Sequence, residues 1–355
     1  MRALPNLLKT GSRMERDHAK KQRSLTDYIE GIQSGNRFVL AQAITLIEST
    51  HADHQHLAQQ LIQHCMGMAI PSTRIGITGT PGVGKSTFIE ALGNVLITQN
   101  HRVAVLTIDP SSQRTRGSIL GDKTRMERLS ANERAFIRPS AAGDTLGGVA
   151  RKTRETILLC EAAGFDTIII ETVGVGQSEI AVRSMVDCFV LLLLPGAGDE
   201  LQGIKRGIVE MADVITVNKA DGEKEKLAKQ AQHFYKSALH YLPPTASGWQ
   251  PKVLTSSALQ DEKIIPVWQA IRQFITHIKN YTISENPAAT FFEHQRNEQA
   301  KYWFYESMQQ AIRQLFFDNE QVRVQLKEME QAVVAHTVSP FAAAQEMVAL
   351  FLKQQ

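Results

Sequence analysis

Cysteine, net charge and long apolar runs are all scarce in this chain, and each shortage removes a class of function. Only Cys65, Cys160 and Cys188 occur in 355 residues, widely spaced and with no CxxC pair, which points to a reducing compartment and a cytoplasmic location. Cys160 and Cys188 fall inside apolar runs, where a free cysteine acts as a small buried hydrophobe rather than as a ligand or nucleophile. A formal net charge of +3 makes no electrostatic case for nucleic acid or an anionic membrane as partner. Residues 1–23 hold no apolar stretch long enough for a signal-peptide core or a membrane span. Internal repeats and low-complexity blocks are also missing. The charge is uneven in one place: residues 1–23 hold seven Lys or Arg against two acids. That composition reads as a basic, disordered tail, with an organelle-targeting segment as the second reading and Met14 as an alternative start.

What remains is enough apolar material, 43% of the chain, for one large α/β domain with helical additions. From Ser24 to about Met68, Tyr28, Ile29 and Ile32 and then Leu40, Ile44 and Ile47 recur at three and four spacings, which predicts a helical arm broken near Gly31 and Gly35. His51, His54 and His56 lie in this arm, but His64 and Cys65 complete no recognised closed metal-site spacing, so they read as a solvated helix face. From Arg74 the pattern becomes short β-branched runs separated by helix-length segments. Strands are predicted at Arg74–Thr78, Arg102–Ile108, Thr167–Glu171, Cys188–Leu194, Val214–Val217 and Val253–Thr255, several apolar on both faces as buried parallel strands are. The fold class is therefore α/β, a doubly wound, mostly parallel sheet. After about Glu285, Trp303, Phe304, Tyr305, Met308, Ile312, Leu315 and Phe316 recur at helical spacing, read as packing residues of a C-terminal extension whose apolar face forms a homodimer contact. The expected division is a tail at 1–23, a helical arm at 24–70, a nucleotide-binding domain at 71–284 and a dimerisation extension at 285–355.

The chemistry begins at Gly79-Thr80-Pro81-Gly82-Val83-Gly84-Lys85-Ser86, which fits GxxxxGK[ST]. An accidental match in a chain of this length is expected on the order of one time in a hundred from average residue usage. A strand precedes it and a helix, Lys85 to Ile97, follows, the order a phosphate loop requires. Glycines let successive N–H groups turn toward phosphates, and the helix N-terminus adds partial positive charge. Lys85 is assigned to the β and γ oxygens, the Ser86 hydroxyl to magnesium, and Thr87 to the remaining nucleotide contacts. Open α/β sheets place their ligands at the carboxyl ends of strands, and two predicted strands close there on carboxylates, Asp109 and Glu171. Glu171 is read as acting on magnesium directly or through water. Between them, Pro110 to Arg125 is polar and long for a compact domain, so it reads as a switch segment with Asp122 as its metal or water contact.

Asn218-Lys219-Ala220-Asp221 matches NKxD after a strand. Alone it would arise in about one chain in twenty, but it accompanies a phosphate loop. The Asp221 carboxylate can accept from N1–H and the 2-amino group of guanine, whereas adenine offers an acceptor and no donor there. An unpaired buried carboxylate costs about 1–3 kcal/mol, enough to disfavour ATP tenfold to several hundredfold. Ser257 and Ala258 are assigned backbone contacts to the base.

Further stretches carry a family likeness: Asp109-Pro110-Ser111-Ser112, Gly117 to Met126, Glu171-Thr172-Val173-Gly174-Val175-Gly176-Gln177-Ser178-Glu179, and Gly198-Asp199 through Gln202 and Lys205. They resemble the MeaB/ArgK family, GTPases associated with adenosylcobalamin-dependent methylmalonyl-CoA mutase, over roughly residues 70 to 260. The resemblance implies a dimeric GTPase that acts as a chaperone for the mutase, gating cofactor loading and removal of damaged cofactor. It also implies that Asp109, Asp122 and Glu171 are magnesium-side residues and that Pro195 to Lys205, with Asp199, Gln202 and Lys205, is a further switch contacting the mutase. In one respect the chain departs from the family: Arg116-Gly117 stands where a Gly pair is usual. No Gln directly follows Gly174; Val175 does, and Gln177 comes later, so slow intrinsic hydrolysis completed by a partner is expected. The alternatives are a nickel-insertion GTPase, which would need a Cys/His site, and an ATP-dependent kinase of an amino-acid transport system, against which Asp221 speaks.

Overall fold

Short runs, most of them rich in Val, Ile and Leu, form the centre of the protein, and both of their faces are covered by helices, so these strands need no polar side. In the computed structural model the described residues are 23–108, 126–139, 146–172, 178–196, 206–243, 245–283 and 286–353. Asp109, Asp122, Arg116, Gln177, Asp199, Gln202 and Lys205 lie outside them. The strands are β1 (Thr73–Gly79), β2 (Val103–Ile108), β3 (Ala135–Pro139), β4 (Thr167–Thr172), β5 (Cys188–Leu193), β6 (Val214–Val217) and β7 (Lys252–Thr255). They make one parallel sheet in the order β3-β2-β4-β1-β5-β6-β7. All six strands expected from the sequence are present within a residue or two of their ends. The seventh, β3, was not anticipated. Its run Ala-Phe-Ile-Arg-Pro holds only three apolar residues before Arg138 and Pro139, and as an edge strand it tolerates a terminal proline that a central strand would not.

Among the described residues three helices precede the sheet: α1 (Leu25–Gln33), α2 (Arg37–Glu48) and α3 (Ala52–Met66). Ser24 and Asp27 close the first turn of α1 reciprocally, and Asn36 caps α2 by accepting from the N–H groups of Phe38 and Val39. The break falls at Gly35, whereas Gly31 lies inside α1. A Cβ on Gly31 would stand 2.5 Å from Val39 Cγ1, so glycine there serves a close approach of α1 and α2 rather than a break. Ile32, Leu40 and Ile44 share one apolar cluster with Ala104 and Leu106 of β2 and with Ile157 of the helix Leu146–Ala162. The other face of the sheet packs on α4 (Lys85–Thr98) and the helix Ile265–Asn280, with Phe88, Leu92, Ile271 and Phe274 against Ile75, Ile77 and Val190. Within β4 the pleat sends Ile168 and Ile170 to the first cluster and Ile169 to the second.

Beyond a short antiparallel hairpin come the helices Phe291–Asp318, Glu320–Val334 and Pro340–Leu352. The amino-terminal half of the first is fastened below the sheet. Gln295 and Gln299 donate to the Val186 carbonyl, Trp303 Nε1 donates to Ser184 O, and Arg296 makes bonds of 2.8 and 2.7 Å to the buried Asp187 carboxylate. Its second half presents Phe304, Tyr305, Ile312 and Leu315 to solvent, each more than half exposed.

Candidate functional site

The parallel sheet gathers the motifs at its carboxyl edge. β1 is central and ends on Gly79; its neighbour β4 places Glu171 opposite Ile77, and its other neighbour β5 pairs Leu192 with Gly79. Thr80 to Gly84 turn the chain into α4, with Val83 N–H donating to Thr80 O and the Val83 side chain fully buried as the anchor of the turn. Gly84, at φ 92°, stands in the left-handed region, and a side chain there would press on Asn218 Nδ2 at 3.1 Å. Pro81, Gly82 and Thr87 are exposed, while Lys85 is buried.

Lys85 is the electrostatic centre. Its Nζ donates to Gly79 O at 2.8 Å and to Thr80 O at 3.3 Å, so the ammonium lies inside the loop's own carbonyls. Burial pulls its pKa below the ordinary lysine value, and the carboxylates of Glu171 and Glu179 partly restore it. Ser86 Oγ donates to Glu171 Oε1 at 3.1 Å, which brings a hydroxyl from the start of α4 and a buried carboxylate from β4 side by side. Such a pair of hard oxygen donors suits magnesium. Behind them Thr172 Oγ1 donates to Thr78 Oγ1 at 2.9 Å, cross-linking β4 and β1 where they open into the site.

The Asn218 to Asp221 segment is tied to the phosphate loop directly. Asn218 Nδ2 donates to Val83 O at 2.9 Å, and Lys219 Nζ donates to Gly82 O at 2.7 Å. Lys219 itself stands at φ 58°, a left-handed backbone that costs a non-glycine residue about 1–3 kcal/mol and is found where function imposes it. Thr216 Oγ1 donates to Ser256 Oγ, which donates to Asn218 Oδ1, and this buried relay fixes which way the asparagine amide points. Ser257 Oγ donates to Asp221 Oδ2 at 2.5 Å; Ala258, next to it, is half-buried. The sequence reading gave Ser257 only backbone contacts with the base, whereas its side chain holds the carboxylate.

The structure thus brings together Gly79, Thr80, Gly82, Val83, Gly84, Lys85, Ser86, Glu171, Asn218, Lys219, Asp221 and Ser257. Ser256 and Glu179 were not among the assigned site residues. Glu179 is the final residue of the Glu171 to Glu179 stretch; it is fully buried, and its charge acts on Lys85. Ser256 carries no motif signal, because its role is set by a strand pairing 40 residues distant from Thr216. His51, His54 and His56 belong to α3 and its approach, and among the described residues no group of three or more His, Cys, Asp or Glu is drawn together as a metal cluster.

Comparison with known proteins places these features in company. The family model described as Methylmalonyl Co-A mutase-associated GTPase MeaB matches residues 40–321. A probable GTPase of Mycobacterium tuberculosis is 48% identical over 320 residues, spanning 89% of this chain and 92% of that protein. The GTPase ArgK of Escherichia coli is 45% identical over 317 residues, 89% and 93% of the two chains. The mitochondrial methylmalonic aciduria type A homolog of Mus musculus is 44% identical over 342 residues, 94% and 80%. Among solved structures, that of an LAO/AO transport system kinase superposes with a TM-score of 0.70 at 38% identity, covering 92% of this chain and 97% of that one.

Proposed function

We propose, from the premise that this chain belongs to the methylmalonyl-CoA mutase-associated MeaB family of P-loop GTPases, that it hydrolyses GTP with magnesium and serves as chaperone to a cobalamin-dependent acyl-CoA mutase. The observation that supports the guanine reading is the Asp221 carboxylate, held by Ser257 Oγ in a segment that Asn218 Nδ2 and Lys219 Nζ join to the loop carbonyls of Val83 and Gly82. Base recognition and phosphate recognition are thereby one mechanical unit.

In this reading the amides of Thr80 to Ser86 cradle the phosphates, and Lys85 leaves the carbonyls of Gly79 and Thr80 for the β and γ oxygens. Ser86 and Glu171 would hold magnesium, with Asp109 and Asp122, which lie outside the described residues, on the same side. The ion supplies charge that offsets what develops on the transferring phosphoryl group. Asp221, oriented by Ser257, accepts from N1–H and the 2-amino group of guanine. Gln177, Asp199, Gln202 and Lys205 belong to the segments that respond to nucleotide and to the mutase. The mutase itself enters through the description of the family model.

A homodimer is part of the proposal. Its support is the apolar outer face of the helix Phe291–Asp318, where Phe304 is 64% and Leu315 65% exposed. The deciding experiment is GTP and ATP turnover by the purified protein, with and without a cobalamin-dependent acyl-CoA mutase from the same source. GTP-selective hydrolysis accelerated by the mutase is expected. Selective but unaccelerated hydrolysis would remove the client; equal use of ATP would favour a kinase or transport ATPase.

A further inference from the structure

Three of the contacts that hold the guanine-reading segment come from one stretch of chain, Ser256 to Lys263. Ser256 O accepts from Ala220 N–H at 2.9 Å, Ser257 Oγ grips the Asp221 carboxylate, and Lys263 Nζ donates to Ala220 O at 2.7 Å. Ala220 is therefore clamped at both its N–H and its carbonyl. The carbonyl matters more, because it defines the peptide plane whose other end is Asp221 N and Cα, and planarity transmits any swing of that carbonyl to the carboxylate.

We propose that Lys263 is a positioning residue for guanine selectivity, acting on Asp221 through the Ala220 carbonyl. The proposal rests on the GTPase reading. Two features speak against a casual surface contact. Lys263 ends a 3-10 turn, Asp261–Lys263, closed by Lys263 N–H to Gln260 O and Ile264 N–H to Asp261 O, and Ile264 is fully buried in the cluster behind α4. The base of the side chain is thus rigidly held. Asp261 and Glu262 are exposed next to it, yet among the described residues Lys263 forms no ion pair with either and spends its charge on a neutral carbonyl 43 residues away. A charged donor makes a bond roughly twice as strong as a neutral one, suited to holding a single carbonyl in place. The residue lies outside the NKxD pattern, so no motif marks it.

The test compares the full-length parent, Lys263→Met and Lys263→Arg for binding and turnover of GTP, inosine triphosphate and ATP. Methionine keeps the apolar stem and removes the donor; arginine keeps a donor. For Lys263→Met, KM and Kd for GTP should rise about tenfold with kcat within about twofold of the parent; preference for GTP should shrink in proportion against ATP and by less against inosine triphosphate, which keeps N1–H. Lys263→Arg should recover most of the affinity. An unchanged KM for GTP in Lys263→Met would overturn the assignment. So would a fall in kcat at constant KM, or an equal loss of affinity for all three nucleotides. Should Lys263→Met not fold, Lys263→Arg decides: GTP selectivity lost despite a retained donor sinks the idea. A parent enzyme without GTP selectivity would defeat the GTPase reading itself, a separate result.

Discussion

Lys85 shows what a phosphate site costs when it is built into a folded chain. Its ammonium is buried among carbonyls, and burial lowers its pKa despite Glu171 and Glu179 nearby. A lysine whose folded pKa lies below its unfolded value penalises folding while it stays charged, and the penalty lifts as pH rises through the folded value toward 10.5. Replacing Lys85 by Met should weaken GTP binding by about a hundredfold or more and at the same time raise the melting temperature of the nucleotide-free protein. The alkaline gain in stability of the parent should be smaller in the variant, a comparison that thermal melts from neutral to alkaline pH would make. Asp221 supports a second residue-level expectation. In Asp221→Asn the amide can still accept from N1–H but turns a donor toward the 2-position. It should bind GTP about tenfold to several hundredfold more weakly and prefer xanthosine triphosphate, whose 2-oxo group accepts. Unchanged GTP affinity in a competition assay would remove Asp221 from base recognition.

Among the elements, the short helix Ser178–Arg183 and the turn after it are tied on two sides. Arg183 makes bonds of 2.8 and 3.3 Å to the buried Asp213 carboxylate, while Gln299 and Trp303 of the helix Phe291–Asp318 hold the carbonyls of Val186 and Ser184. Burial pushes the pKa of Asp213 up, and Arg183 and the Phe189 N–H pull it partly back. Arg183→Met should destabilise the fold by about 3 kcal/mol near neutrality, because a buried carboxylate loses its counter-charge. The sign with pH follows from the raised folded pKa: the cost is present above that value and disappears as Asp213 protonates. The gap between parent and variant should therefore narrow on acidification, measurable as denaturant midpoints at neutral and acid pH. A gap that widens in acid would show that Asp213 is not the partner that matters.

At the scale of the whole molecule, two covered sheet faces contrast with the exposed apolar side chains of the helix Phe291–Asp318. Placing glutamates at Ile312 and Leu315, both exposed, should leave the fold and the GTPase site intact and convert the proposed dimer to monomer, read by sedimentation. A monomeric parent would end the dimer proposal. The three cysteines are buried, and burial raises the thiol of Cys65 to about 11 and those of Cys160 and Cys188 further from their ordinary value. This agrees with reading Cys160 and Cys188 as core packing.

Strand positions, the phosphate loop and the NKxD segment were legible in the amino-acid sequence because each is local. A run of Val and Ile is apolar wherever it sits, and glycines before Lys85 and Ser86 must turn the backbone whatever surrounds them. Edge strand β3 escaped because three apolar residues ending in Arg138-Pro139 make no periodic signal; only pairing with β2 makes them a strand. Ser256, Ser257 and Lys263 escaped as side-chain clamps for a related reason. Their partners, Asn218, Asp221 and Ala220, lie 38, 36 and 43 residues away, and a hydrogen bond across such a span exists only after β6 and β7 pair. The chain's local chemistry thus carried the phosphate loop and the NKxD segment, the two signals from which a guanine nucleotide is expected. Tertiary structure decided how firmly the reading groups are held, since rigidity comes from contacts between segments that only folding brings together.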